Sequence, residues 1–255
     1  MPVSAAVYRP VPSRRWLVPF GWALLLALAV FGMEYAESAL RYIASDARQV
    51  IYTRASLVDL LGRHLLVVGV AGAVTVVVGV LAGIGVTRAR GRDFLPLAGQ
   101  LASIGQTFPP VAVLALAVPV LGFGTLPIIV ALMLYGLLPI LRNTLAGLKG
   151  VDARTREAAL AMGMTQRQIL LRVELPLAAP VILAGIRTSI TINIATAALG
   201  ATVGASNLGD PIISGIVNTN MAYVVQGALV IALLALTVDS LFDLLQQALA
   251  RHAAA

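Results

Sequence analysis

Residues 94–141 form a run of 48 positions without a single Asp, Glu, Lys or Arg. Two further runs are similar: 64–87, with 24 residues, and 211–238, with 28. A helix needs about 20 apolar residues to cross the hydrocarbon core of a bilayer, so each run is long enough to cross at least once. Charged residues make up 11 % of the chain and hydrophobic residues 59 %, whereas soluble domains carry about a quarter charged residues. A soluble fold would have to bury all three runs with little polar surface to cover them. A β-barrel would need segments of about 10 residues with alternating polarity, which these uniformly apolar runs do not supply. The sequence therefore reads as an all-α polytopic membrane protein.

The charges between the runs set the topology. Six spans are expected, at about 16–33, 64–86, 94–118, 126–141, 177–203 and 221–241. If the N-terminus is inside, the inner segments 1–15, 88–93, 142–176 and the C-terminal tail hold 3, 3, 6 and 1 basic residues. The outer segments hold four, all within 34–63. Cytoplasmic loops carry the excess of Lys and Arg, so the bias favours both termini inside. The net charge of +7 then reflects anchoring at an anionic lipid face, not nucleic-acid binding. Segment 34–63 is mixed in charge and is expected to hold one or two short helices outside the membrane. Arg187 lies within a span, where its side chain is expected to snorkel to the cytoplasmic interface. Asp239 and Asp243 are read as marking the exit of the last span. Residues 204–215, with Asp210–Pro211, read as a turn.

The loop 142–176 is polar and strongly basic, yet ordered in pattern. Residues 155–162 (TREAALAM) are strong helix formers. Glu157 is expected in the first turn, where exposed amides favour a carboxylate. Gly163 stands where a helix-ending glycine belongs. Thr165 and Gln168 have capping-box spacing for a second helix, and Pro176 is expected to close the segment. A helix–glycine–helix unit projecting into the cytoplasm is either a docking surface for a soluble partner or a folded cap on the bundle.

The pattern Glu157–Ala158–Ala159, Gly163, Val173 and Leu175–Pro176 resembles the EAA loop of binding-protein-dependent ABC importer permeases, with Val173 where the family usually has Ile. The likeness extends over about 60–245. Stretches 64–67 (HLLV), 99–110 (GQLASIGQTFPP), 138–147 (LPILRNTLAG) and 185–188 (GIRT), with Ile192–Asn193, are similar to the osmoprotectant branch, which imports glycine betaine, carnitine and choline. Many members have a glycine-rich turn where this chain has 203–209 (VGASNLG). Ser206 and Asn207 replace two of its glycines, and Asn tolerates positive φ.

This resemblance implies a type I ABC importer permease fold of about six transmembrane helices in a bacterial inner membrane, N-in and C-in. Residues 1–15 would be a cytoplasmic tail, 16–33 an extra N-terminal span and 34–63 an extracytoplasmic segment. Residues 64–245 would form the permease core with the coupling loop 142–176, and 246–255 a cytoplasmic tail. Glu157, Ala158, Ala159, Gly163, Leu175 and Pro176 would carry the coupling loop. The implied partners are a second permease subunit (identical or related), two cytoplasmic ABC ATPase subunits that bind the ATP and Mg, and an extracytoplasmic substrate-binding protein.

The residues themselves point to no covalent chemistry. No Gly-x-x-x-x-Gly-Lys-Ser/Thr loop is present, so an active transporter would need a separate ATPase, and no cofactor is expected in this chain. With no cysteine and two distant histidines, His64 and His252, no cysteine-ligated metal or disulfide is expected. The cores of the apolar runs hold no acidic residue, which weighs against a proton-coupled secondary transporter. Polar residues beside a proline break could line a path: Gln100, Ser103, Gln106 and Thr107 near Pro109–Pro110, with Thr191, Asn193 and Thr196 in the fifth span. The alternatives are a permease for another small organic solute (an amino acid or sulfonate) and a non-transporting membrane scaffold that binds a cytoplasmic partner.

Overall fold

The computed structural model describes residues 16–88 and 90–254; the expected tail 1–15 lies outside them. Among the described residues every regular element is helical. Four helices are long and apolar enough to cross a membrane, and two bent pairs bring the total to six if each pair is one crossing.

Helix α1 (Leu17–Phe31) turns sharply at Gly32 into a short turn and α2 (Glu37–Ile43), a bend of 78°. An irregular strap, 44–56, follows. Its middle is held by a side chain of the last helix: the fully buried Gln226 donates to Val50 O at 2.6 Å and accepts from Tyr52 N at 3.1 Å. Asn220 adds a bond to Gln49 O at 2.8 Å. Helix α3 (Leu57–Thr87) starts seven residues earlier than the hydropathy suggests, because Ser56 accepts from Asp59 N and caps it. The two charges within those seven residues do not stop a capped helix from extending beyond the lipid.

The expected third span is two helices, α4 (Leu95–Thr107) and α5 (Pro110–Leu121), bent by 97° across Phe108–Pro109. A proline amide cannot continue the ladder and its ring crowds the preceding turn, so the chain breaks instead of bending. Helix α6 (Thr125–Lys149) runs eight residues beyond the expected end of its span and forms the start of the polar loop. Helix α7 (Ala153–Ala161) and the one-turn α8 (Gln166–Ile169) follow. A π-helical turn at Leu170–Glu174 joins α8 to α9 (Leu175–Ala197). Pro176 therefore does not close the loop: it lies in the first turn of α9, directly after the wide π turn in which the ladder is reset.

Past α9 a 3-10 stretch ends at Gly204, φ 82°. Asn207 does not adopt positive φ; it holds the turn through its amide, donating to Ala197 O and Ala205 O and accepting from Gly209 N at 2.6 Å. The expected turn becomes helix α10 (Gly209–Val217). Helix α11 (Met221–Ala254) then runs far past the expected end of the sixth span.

Helix α6 is central and contacts α3, α4, α5 and α9, while α11 packs on α9, α1 and α10. Transmembrane helices associate closely through small residues. A Cβ on Gly83 would stand 2.5 Å from the Thr144 side chain, and one on Gly185 would stand 2.5 Å from Asn143 Cβ and 2.7 Å from Pro139 O. The buried glycines of α3 therefore serve packing within the chain. Gly69, with nothing within 4 Å of such a Cβ, does not.

Gly185→Val should destabilise the α6–α9 contact by about 1–3 kcal/mol, the usual cost of overpacking. Gly69→Ala should be silent. Thermal unfolding of the two purified variants in detergent checks the pair, and equal melting temperatures would refute the packing assignment.

Candidate functional site

The loop between α6 and α9 is built from local signals. Asp152 accepts from Arg154 N at 3.4 Å and opens α7. Gly163 closes it at φ 79°, with Gly163 N bonded to Leu160 O and Met164 N to Ala159 O. That pair of bonds is the Schellman motif, which a left-handed glycine permits. Thr165 and Gln168 form the expected capping box, with Thr165 N donating to Gln168 Oε1 at 2.8 Å. Because α7 starts at Ala153, Glu157 stands in its second turn, not the first.

Most of α7 faces outward. Glu157, Ala158 and Gly163 are exposed, as are the apolar Leu160 and Met162 (75 %), whereas Ala159 is buried. Leu175 is half-buried and Pro176 exposed, directly after the π segment. The arrangement presents a short, capped helix with a mixed apolar and acidic face to the solvent.

What fixes this helix to the bundle is the side chain of Glu174. Glu174 is 4 % exposed. Its Oε2 lies 2.7 Å from Arg88 Nη1, at the end of α3, and its Oε1 lies 2.9 Å from Arg156 Nε, on α7. Arg156 Nη2 also donates to the carbonyl of Leu148 in α6. Neither contact has the alignment of a hydrogen bond, so the attraction between charges carries both pairings. One buried carboxylate thus joins α3, α7 and α9, and Arg156 extends the junction to α6.

A second ion cluster joins α9 and α11. Arg187 donates to Asp239 through Nε and Nη2, both at 2.6 Å, and to Asp243 at 2.9 Å. Asp239 and Asp243 lie well along α11, and through Arg187 they hold that helix to α9. The pairing of these two acids with Arg187 is visible only in three dimensions.

The residues proposed for a path fall into two groups. Gln100, Gln106 and Thr107 are exposed on α4, and Ser103 is half-buried there. Gln106 donates to Tyr135 O of α6 at 2.8 Å, and the Tyr135 hydroxyl donates to Phe108 O at the break. Thr107 and Ser103 bond back to their own helix, while Arg142 reaches Ser103 Oγ at 3.5 Å. On α9, Thr191 and Thr196 are half-buried and Asn193 is fully buried. Asn193 packs with Ser189 and Thr75 against Gly136. Helix α6 contacts both α4 and α9, so Asn193 belongs to the interior of this subunit and the α4 group to its surface.

Among the described residues no group of three His, Cys, Asp or Glu could hold a metal ion.

The family described as "Binding-protein-dependent transport system inner membrane component" matches residues 75–253. The osmoprotectant import permease protein OsmY of Salmonella typhimurium is 41 % identical over 229 residues, 90 % of this chain and 92 % of that protein. The choline transport system permease protein OpuBD of Bacillus subtilis is 38 % identical over 218 residues, 85 % and 92 % of the two chains. The carnitine transport permease protein OpuCD of Listeria monocytogenes is 44 % identical over 151 residues, 59 % and 68 %. Among solved structures, an inward-facing form of the MetNI methionine ABC transporter aligns with TM-score 0.68 at 24 % identity, covering 76 % of this chain and 95 % of that one. That likeness is one of fold.

Glu174→Ala would leave two guanidinium groups facing each other around a void. Removing one partner of a buried charge contact costs about 1–3 kcal/mol or more. The variant should melt lower and its 150–165 segment should be cut faster by trypsin. Arg88→Ala in that background should add little, and full additivity would separate the two residues.

Proposed function

The chain belongs to the binding-protein-dependent transport system inner membrane components, and on that premise we propose that it is the permease subunit of an ATP-driven importer for osmoprotectants of the glycine betaine, choline and carnitine class. The observation that carries the proposal is the exposed, doubly capped helix α7 with Glu157, Ala158 and Gly163 on its open surface and Glu174 beneath it. The names of the relatives supply the substrate class.

In this reading two copies of the chain, or this chain and a related one, pair in the inner membrane. Two cytoplasmic ABC ATPase subunits bind the ATP and Mg, and each takes one α7 in a groove on its surface. An extracytoplasmic binding protein delivers the solute on the opposite side, near the strap 44–56. The permease itself carries out no bond-making step. It converts a displacement of α7 into a displacement of helices.

The physical route starts at α7. When the ATPases close, α7 moves as a rigid unit because both of its ends are fixed by hydrogen bonds. Arg156 carries that motion to Glu174 and so to the first turns of α9, and Glu174 carries it through Arg88 to α3. Helix α9 runs unbroken from the loop into the membrane through the π turn, so it acts as a lever. The α4 group, Gln100, Ser103, Gln106 and Thr107, lies on the subunit surface and would line a path between two subunits. Thr191 and Thr196 would contribute from α9 where it borders that space, and Asn193 would support the helix contact behind it.

A zwitterion or quaternary amine crossing such a path would meet neutral amides and hydroxyls instead of fixed charge. Weak binding of this kind suits passage, since selection by an aromatic cage can reside in the binding protein.

Reconstituted in vesicles with its ATPase and binding-protein partners, the chain should support saturable, ATP-dependent entry of radiolabelled glycine betaine, with choline and carnitine competing. ATP-dependent entry of an amino acid or sulfonate in place of these would move the substrate class; entry without ATP would refute an ABC mechanism.

Glu157→Lys and Gly163→Pro should insert and assemble normally but lose most uptake while ATP is still hydrolysed. Proline cannot adopt the φ of +79° at residue 163. Uptake at the unaltered rate, at equal expression, would remove α7 from the coupling route.

A further inference from the structure

A recess of about 530 Å³ opens on the loop side of the bundle, where α3 ends, α4 begins and α6 ends. It is lined by Arg88, Arg92, Lys149, Arg156 and Glu174, with the apolar Leu95 and Leu148 at its walls. Four cations face one carboxylate. Glu174 is already shared between Arg88 and Arg156. Arg92 and Lys149 are exposed and make no ion pair among the described residues. The recess therefore carries a local charge of about +3 next to a buried junction, and no ion pair among the described residues neutralises that excess.

A second feature starts at the same place. Phe94, Leu97, Leu101, Ile104 and Phe108 are exposed at 49 % or more. Their spacing of three and four residues puts them on one face of the helical segment Arg92–Thr107 and its end. The stripe begins beside Arg92 and runs away from the recess along α4.

We propose that this recess is a binding site for an anionic phospholipid, with the phosphate of the headgroup among Arg92, Lys149 and Arg88 and an acyl chain along Phe94, Leu97, Leu101 and Ile104. A compact cationic recess continuous with an apolar stripe matches the two ends of such a lipid. A protein partner would have to supply a carboxylate-rich tip and an apolar helix at the depth of the membrane. Free phosphate would satisfy the recess alone and leave the stripe without a role. Because the recess adjoins Glu174, an occupant there bears on the junction beneath α7. The site itself does not depend on the transported solute.

The test uses the full chain purified in detergent, with each lipid supplied in turn. Bound lipid is read by native mass spectrometry after exposure to phosphatidylglycerol or phosphatidylcholine, and inorganic phosphate is tested separately by equilibrium dialysis with the radiolabelled ion. The wild-type chain should retain phosphatidylglycerol over phosphatidylcholine by roughly tenfold or more, as expected when two basic side chains each favour an anionic headgroup. Arg92→Gln with Lys149→Gln should bring the ratio close to one while leaving Arg88, Arg156 and Glu174 paired. Leu97→Gln with Leu101→Gln should weaken retention of both lipids. Equal retention of the two lipids by the wild-type chain would overturn the proposal, as would a preference unchanged in the double glutamine variant. Binding of inorganic phosphate with no preference between the lipids would assign the recess to a free anion and overturn the lipid.

Discussion

Glu174 is the point at which the loop and the membrane bundle become one structure. A carboxylate this buried is costly unless it is paired, and here it is paired twice, by arginines from two other elements. Neither arginine is local to it: Arg156 is 18 residues away and Arg88 is 86. The pairing therefore forms only when α3, α7 and α9 are all in place. Losing it would leave α7 attached to the bundle mainly through its covalent ends, the bond of Arg156 to the Leu148 carbonyl and the buried Ala159, a much weaker hold on a helix of nine residues.

The same constraint explains why the irregular backbone lies where it does. In lipid every backbone polar group must be satisfied by the protein itself. The breaks are accordingly repaired by side chains or confined to the bundle's ends. The Phe108 carbonyl, freed at the α4–α5 break, is met by the Tyr135 hydroxyl. The end of α9 is closed by Asn207. The strap is held by Gln226, whose amide serves both Val50 and Tyr52. His64 does the equivalent between helices: its Nε2 lies 3.0 Å from the carbonyl of Ile194.

Much of this architecture was legible in the residues. Charge-free length gives the spans, and local signals give the loop, because a capping box or a C′ glycine acts within four residues. The helix ends were read less well. Ser56 extends α3 outward, and α6 continues to Lys149 because nothing in 142–149 stops a helix. A hydropathy boundary marks where lipid ends, not where hydrogen bonding ends. The charge pairs were not legible at all. Arg187 and Asp239 are 52 residues apart, and each alone resembles an interfacial residue. The polar residues of α9 were readable as a group but not by face, since Asn193 and Thr191 differ only by their rotation about the helix.

The two ion clusters divide the molecule mechanically. Helix α9 is tied to α3, α6 and α7 at its loop end through Glu174, and part-way along its length to α11 through Arg187. Arg187 meets Asp239 in a two-point fork, a geometry that resists both sliding and rotation. Glu174 is buried, and separating a buried pair by moving a single partner is expensive, whereas the part-exposed Arg187 cluster holds by its fork geometry. A displacement entering at α7 would therefore carry α9 and α11 together. Helices α4 and α5 are connected differently: they join α6 through apolar contact and a few neutral hydrogen bonds, those of Gln106 and Tyr135 among them, which can exchange with water at modest cost. On the proposed coupling route, the relative motion would concentrate at the seam between α6 and the α4–α5 pair. That seam is bordered by Gln106, Thr107 and the proline break, and its inner end is the cationic recess.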